Sequence, residues 1–202
     1  MKATRTHQAI PVIFHFGGQS HKIQETPLLR EAYLTEINQL VHQYPDVLFY
    51  LENVTIVSVL QQKNKIHFRD ASVETVPEFV SWLREALNLP HLFYSVLDTC
   101  HAIMVCRWLN TVGLDCQLES FFKAHEKTCG LIHLVNANRF GFFEDHGTSF
   151  LAQDQSLLNE IMRYYATYQY ICPITIEVTE KDFFKYDRYQ QTMETLNQIK
   201  KV

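Results

Sequence analysis

The sequence of 202 residues is long enough for one domain, residues 1–202, with a substantial buried core. Close to half of its residues are apolar and a fifth are charged, as in ordinary globular proteins, and the formal charge of −4 supplies no general attraction to nucleic acid. No apolar run approaches the ~18 residues of a membrane helix, and the N-terminus lacks the apolar core of a signal peptide. We therefore expect a cytoplasmic protein with no membrane partner.

The cysteines support the same location. They are odd in number, scattered, and form no Cys-x-x-Cys pair, and several lie inside apolar runs. This pattern is typical of reduced thiols that serve as small buried hydrophobic residues. The five positions are Cys100, Cys106, Cys116, Cys129 and Cys172.

Short apolar runs alternate along the chain with longer amphipathic stretches. The short runs are continuous and rich in β-branched and aromatic residues, as in parallel strands covered on both faces. They predict strands over residues 10–16, 47–52, 92–98, 130–135 and 173–178. The amphipathic stretches predict helices over residues 26–45, 72–88, 101–112, 154–168 and 187–201. Residues 54–75 are less regular, and "IVSVL" (56–60) is either a sixth strand or a loop.

Alternation of strands and helices predicts βα units and therefore an α/β fold with a parallel sheet. Each expected strand carries a residue of metal-ligand type at or near its C-terminal end. Because the carboxyl ends of parallel strands meet at one edge of the sheet, these side chains should converge. The five residues are His15, Glu52, Asp98, His133 and Glu177.

Each of these residues also has a simpler interpretation. A single histidine in a strand is more often a hydrogen-bonded core residue, and an acidic residue that ends a strand is usually a turn residue or a helix cap. Five such strand ends together favour a shared site, because buried ionised groups need partners or a metal. Mixed nitrogen and oxygen ligands without a thiolate suit zinc, manganese or iron.

Three further residues lie near the expected site. His101 follows Asp98 in the turn after the third strand. The loop "ANRFGFFEDHGTSF" (137–150) adds Glu144 and His146, whose i, i+2 spacing lets both side chains point the same way in an extended segment. This loop pair is a weak signal by itself, since a solvated loop has the same composition.

Several of these segments resemble the motifs of a known family. The segment "LDTCHA" (97–102) resembles the Asp-Thr-Cys-His signature of endonuclease IV, the family-2 apurinic/apyrimidinic endonucleases. That family belongs to a superfamily of (β/α)₈ barrels that also contains xylose isomerase-like sugar isomerases and epimerases. Four more segments are similar to family motifs in the same order: "IFHFGGQSH" (13–21), "YLENVT" (50–55), "IHLVNANRFGFFEDH" (132–146) and "ITIEVT" (174–179). The resemblance implies a TIM-barrel-like α/β fold that is incomplete, because it lacks the N-terminal βα units.

The resemblance also implies three neighbouring metal sites. Glu52, Asp98, His133 and Glu177 would surround one ion, and Glu52 would bridge to a second ion beside His15. The metal implied is zinc, with manganese as the alternative.

A third ion would lie with His101, Glu144 and His146. Closely spaced ions activate a water molecule and neutralise a phosphodiester as it is displaced. The catalytic residues implied by the resemblance are Glu52, Asp98 and Glu177.

Three functions remain open. The first is hydrolysis of a phosphodiester, in abasic-site DNA or a related phosphate ester. The second is isomerisation or epimerisation of a sugar or sugar phosphate, in which Glu52 and Glu177 hold one divalent ion and move a proton. The third is a non-catalytic, degenerate barrel that binds a metal or a partner. Asp145 stands where the family has an arginine, which removes a phosphate-binding charge and weakens the case for DNA.

The expected sheet has an unprotected edge. A barrel removes sheet edges by closing, whereas a sheet of about five strands leaves strand 10–16 exposed. A second copy of the chain could cover this strand, which predicts a homodimer. The alternatives are that residues 1–9 and 54–75 wrap the edge, or that the sequence is part of a longer protein.

Overall fold

The main sheet of the protein contains five parallel strands. The computed structural model describes residues 9–15, 20–54, 73–137, 146–180, 182 and 184–199. The strands are β1 (Ile10–His15), β2 (Val47–Glu52), β3 (Phe93–Asp98), β4 (Cys129–Leu134), β5 (Asn136–Ala137), β6 (His146–Thr148) and β7 (Ile174–Ile176). The main sheet has the order β1-β2-β3-β4-β7, and β5 and β6 form a separate antiparallel pair.

Helices connect these strands. They are α1 (Ser20–Glu25), α2 (Pro27–Gln43), α3 (Thr75–Leu87), α4 (Thr99–Thr111), α5 (Leu118–His125), α6 (Gln155–Thr167) and α7 (Asp187–Ile199), with a 3₁₀ turn at Ala152–Asp154. The sheet curls into a half-barrel. The predicted α/β class and parallel sheet are therefore confirmed.

All five predicted strands and all five predicted helices are present, with boundaries shifted by a few residues at most. The prediction omitted α1, α5 and the short hairpin of β5 and β6. The sixth strand considered for "IVSVL" (56–60) lies outside the described residues. No helix in the described ranges is both long enough and apolar enough to span a bilayer.

The alternation of side chains along β2 and β3 separates the core from the site. Phe49 of β2 and Phe93 of β3 face the helices, together with Leu97 near the end of β3. Because successive side chains of a strand point to opposite faces, Glu52 and Asp98 lie on the other, concave face of the sheet. The helical layer thus forms the core while the strand ends present the ligand-type residues.

Two apolar clusters hold the helices on the sheet. The smaller one joins α2 and α3 to β2 and β3 through residues that include Ile37, Phe49, Phe79, Leu83 and Phe93. The larger one joins α4, α5 and α6 to β3 and β4 through residues that include Leu97, Phe121, Phe122, Ile132, Leu134 and Ile161.

Strand β1 differs from the prediction. Its sequence predicts burial on both faces, but Ile10 is 57% exposed and Val12 is 43% exposed. Within the described part of the chain β1 pairs with one strand, β2, and so forms an edge of the sheet. The prediction of a buried strand was wrong here, whereas the expectation of an exposed edge agrees with these values.

Candidate metal centre

The register of the parallel strands places the predicted ligands side by side. His15 of β1 lies opposite Glu52 of β2. Asp98 of β3 lies opposite His133 of β4. Each of these residues is at or next to the C-terminal end of its strand. They therefore lie together at the C-terminal end of the sheet, as the sequence predicted.

Glu177 reaches the same place from β7, the strand that pairs with β4. It directly follows β7, and its backbone N–H donates to the carbonyl oxygen of Leu134 at the end of β4 (3.3 Å). The result is a cluster of four side chains, each with one ligand atom, in which all four atoms lie within 4.8 Å of one another. We call this set the acidic cluster: Glu52, Asp98, His133 and Glu177.

His133 is the cationic centre of the acidic cluster. Its Nδ1 atom lies 3.1 Å from Oε2 of Glu177 and 3.3 Å from Oε1 of Glu52. Burial lowers the pKa of His133, but the hydrogen bonds to the two glutamates and their negative charges outweigh burial and raise the pKa to about 10. The carboxylates of Glu52 and Glu177 therefore attract positive charge strongly enough to keep the imidazole of His133 protonated.

Asp98 has two roles in the structure. It is fully buried, and its Oδ1 atom accepts a hydrogen bond from the backbone N–H of His101 (2.7 Å), which caps the N-terminus of α4. The simpler interpretation of this residue, a helix cap, is therefore correct, and it coexists with membership of the acidic cluster. Capping fixes the carboxylate in one orientation.

Asn53 organises the site, and no role was predicted for it. Its side chain donates through Nδ2 to the carbonyl oxygen of Asp98 (3.2 Å) and accepts through Oδ1 from the N–H of Asp98 (2.7 Å). These two bonds extend the β2–β3 pairing by one residue. Asn53 follows Glu52 in "YLENVT", but its partner Asp98 lies 45 residues away in the chain, so no signal in the sequence indicated this contact.

The carbonyl oxygen of Asn53 also determines which ring nitrogen of His101 carries the proton. It lies 2.7 Å from Nδ1 of His101, and because a carbonyl oxygen can only accept, Nδ1 carries the proton. In neutral His101 the lone pair is then on Nε2, which is the form that binds a metal ion. The outer hydrogen-bond acceptor that a metal-binding histidine needs is thus supplied by the backbone.

His101 and His15 lie beside the acidic cluster. Nδ1 of His101 is 3.7 Å from a carboxylate oxygen of both Glu52 and Asp98, and Nε2 of His15 is 3.6 Å from Oε2 of Glu52. The two imidazole rings meet edge to face with centroids 5.7 Å apart. His15 is the outermost residue of this group, since its side chain is 66% exposed.

Thr99 joins the ends of β3 and β4 and was also missed. Its hydroxyl donates to the carbonyl oxygen of Val135 (2.7 Å) and accepts from the N–H of the same residue (2.9 Å). Thr99 therefore holds the backbone just after His133 in register with α4. Its position inside the "DTCH" motif was visible, but its partner 36 residues away was not.

The two remaining predicted ligands are Glu144 and His146. Glu144 and the side chain of His146 lie outside the described residues. The backbone of His146 lies in β6, where it pairs with Ala137 of β5. The structure thus brings six of the eight predicted ligands to one end of the sheet, four of them in the acidic cluster.

Comparison with known proteins identifies no family for this chain. No protein-family model and no curated protein matches the sequence. The resemblance to endonuclease IV therefore depends on the sequence motifs at residues 13–21, 50–55, 97–102, 132–146 and 174–179.

Proposed function

We propose that the protein is a divalent-metal-dependent hydrolase related to endonuclease IV, acting on a phosphodiester in abasic-site DNA or a related phosphate ester. The observation that carries the proposal is the acidic cluster, in which three carboxylates and one imidazole approach within 4.8 Å of one another. Zinc is the metal that best suits this ligand set, with manganese as the alternative.

Electrostatics favour a cation in the acidic cluster. Glu52 and Asp98 are almost fully buried, and the transfer of ionised carboxylates from water into a protein is costly unless they are paired. His133 supplies one positive charge when it is protonated. A divalent ion would supply two charges at the same place, so it would compete effectively with that proton.

The residues around the acidic cluster would have different roles in the reaction. Asp98, fixed by its cap on α4, and His133 would hold the metal. Glu52 lies between His133 and His15, and its carboxylate would hold the metal together with them. Glu177 has the most exposed of the three carboxylates, at 44%, and is best placed to accept a proton from an attacking water. A bound metal ion would polarise the phosphate and lower the pKa of that water.

The first experiment measures metal binding. Metal-free protein should take up zinc or manganese in a calorimetric titration, and Asp98→Asn should weaken the affinity on the order of 100-fold by removing a ligand charge. Asparagine is as good an N-cap as aspartate, so this variant leaves the cap of α4 in place. His15→Ala is the matched control on the exposed rim, and it should weaken binding to the cluster less than about tenfold.

Two results would contradict the proposal. One is stable metal content below half an equivalent per chain in the wild type. The other is equal affinity in the wild type and Asp98→Asn. Either outcome means that the four side chains form a proton-linked network and not a metal site.

The second experiment tests the reaction. Metal-loaded protein should nick duplex DNA that contains an abasic site, and Glu177→Gln should abolish nicking while leaving the fold intact. The matched control is Glu180→Gln, because Glu180 caps the N-terminus of α7 through the N–H groups of Arg188 and Tyr189 and lies outside the acidic cluster.

A second candidate function is isomerisation or epimerisation of a sugar or sugar phosphate. It is favoured by the contacts of Glu52 and Glu177 with the same nitrogen of His133, which would suit one ion held together with two groups that carry protons. The overall charge of −4 also suits a small substrate better than DNA. Aldose–ketose conversion without DNA nicking would select this function, and metal binding without either reaction would indicate a non-catalytic barrel.

A further inference from the structure

A second chemical site lies where α4 connects to α5, away from the acidic cluster. Cys106 is in the second half of α4, and Cys116 is in the connection to α5. Their sulfur atoms are 3.0 Å apart, closer than the van der Waals separation of two sulfurs. Both are free thiols in this structure.

The backbone around Cys116 holds the two thiols together. The side chain of Asn110 accepts from the N–H of Cys116 (2.9 Å) and donates to its carbonyl oxygen (3.0 Å). Gly113, with φ of 82°, turns the chain back at the end of α4, and the N–H of Leu114 donates to the carbonyl oxygen of Leu109 (2.9 Å). The approach of the sulfurs is thus fixed by helix termination and by a two-bond clamp.

The two thiols differ in acidity. The hydrogen bond from the Cys106 thiol lowers the pKa of Cys116, and the same bond together with burial raises the pKa of Cys106. Since the thiolate is the nucleophile in thiol–disulfide exchange, Cys116 would react first and Cys106 would be the resolving thiol. The residues are 5% and 7% exposed, so the site admits a small reagent only.

We propose that Cys106 and Cys116 form a reversible oxidation site that closes to an intramolecular disulfide on reaction with a low-molecular-weight disulfide. The thiolate of Cys116 attacks one sulfur of the reagent, forms a mixed disulfide and releases one thiolate. The thiol of Cys106 then loses its proton and attacks the sulfur of Cys116, which releases the second thiolate. The protein loses two electrons and two protons, and the reagent becomes two thiols.

A second cysteine pair provides a control within the same molecule. Cys129 and Cys172 lie at the start of β4 and just before β7, with sulfurs 3.8 Å apart. Cys172 is held by one side-chain hydrogen bond, from the hydroxyl of Tyr165 to its carbonyl oxygen (2.7 Å), whereas Asn110 makes two to Cys116. We therefore expect the 106–116 bond to form first and in higher yield.

The experiment uses the full chain and 2-hydroxyethyl disulfide as the probe, followed by alkylation of the remaining thiols and non-reducing tryptic mapping. Cleavage after Arg84, Arg107 and Lys123 separates the two cysteines into peptides 85–107 and 108–123, and fragmentation distinguishes Cys106 from Cys100. The expected result is a loss of two hydrogens from the intact mass and a link between these peptides. A reductant should reverse both.

Variants test the role of the clamp and the effect on stability. Asn110→Ala should slow formation of the bond several-fold, while Gln117→Ala, a neighbouring exposed change, should not. Closing the loop should raise the melting temperature of the wild type on the order of 5 °C and leave that of Cys106→Ser unchanged. The proposal is overturned if both thiols are fully alkylated after unfolding, or if the main product links peptides 128–139 and 164–181.

Discussion

Strands β1 and β3 have similar sequences but different surroundings. Both are six-residue apolar runs that end in a ligand-type residue, "IPVIFH" and "FYSVLD". In β3 the final three residues, Val96, Leu97 and Asp98, are completely buried, whereas Ile13 of β1 is 40% exposed and the side chain of His15 is 66% exposed. The apolar pattern thus identifies a strand, and the neighbouring elements determine whether it is buried.

The same difference separates the ligands. Central strands carry carboxylates that are held by caps and clamps, as Asp98 is by its bonds to His101 and Asn53. The edge strand β1 carries His15, whose side chain is largely exposed beside the acidic cluster. The acidic cluster should therefore tolerate changes at β1 far better than changes at β3 or β4.

The largest expected effect comes from emptying the core behind the central strands. Leu134→Ala removes a side chain that is 1% exposed and should lower the free energy of unfolding by about 3 kcal/mol through lost burial and the cavity left behind. Val12→Ala on the exposed edge should cost less than about 1 kcal/mol. Urea unfolding of both variants measures the contrast, and equal losses would show that β1 is as well covered as β4.

A smaller effect is expected at Gly130 in β4. A Cβ atom at this position would lie 2.6 Å from Cε1 of Tyr50 and 2.8 Å from Cβ of Tyr94, whose rings are stacked. Gly130→Ala should therefore cost about 2 kcal/mol by overpacking. Gly113→Ala is the control, because it meets no atom within 4 Å and carries only the strain of a positive φ, about 1 kcal/mol. Equal losses in thermal unfolding would contradict the steric explanation.

The third prediction concerns pH and a histidine behind β3. His125 is fully buried, its Nδ1 lies 2.9 Å from the hydroxyl oxygen of Ser95, and burial lowers its pKa from 6.5 to about 3. Between these values the unfolded chain binds a proton that the folded chain does not, so stability falls as the pH falls below about 6.5.

His125→Asn removes this dependence. The variant loses packing at neutral pH, but its deficit relative to the wild type should shrink by about 1.4 kcal/mol between pH 7.5 and pH 5.5. Denaturant titrations at several pH values measure the difference. Parallel stability curves would mean that His125 becomes protonated in the folded state.

Much of the fold was predictable because it depends on local patterns. The strands and the longer helices were found from apolar runs and helical periodicity. Helix α5 was missed because it is short and its fourth buried position is His125, although Leu118, Phe121 and Phe122 fit the i, i+3, i+4 pattern. The exposure of β1 could not be predicted, because burial depends on which elements pack against a strand.

The site was predictable to a similar extent. Topology alone explains why the ends of β2, β3, β4 and β7 converge. The roles of Asn53 and Thr99 were not predictable, because each depends on a hydrogen-bond partner that is distant in sequence. The expected homodimer, the cytoplasmic location and the substrate stay predictions.

The register of the parallel strands has a consequence for folding. Each member of the acidic cluster lies in a different strand or directly after one, and Glu52 and His133 are 81 residues apart in the chain. A slip of one residue in any strand would turn its ligand-type side chain to the helical face. An intact cluster therefore requires correct long-range pairing of four strands, and long-range pairing makes the folding of parallel sheets slow. Formation of the acidic cluster during refolding would therefore report when the sheet reaches its final register.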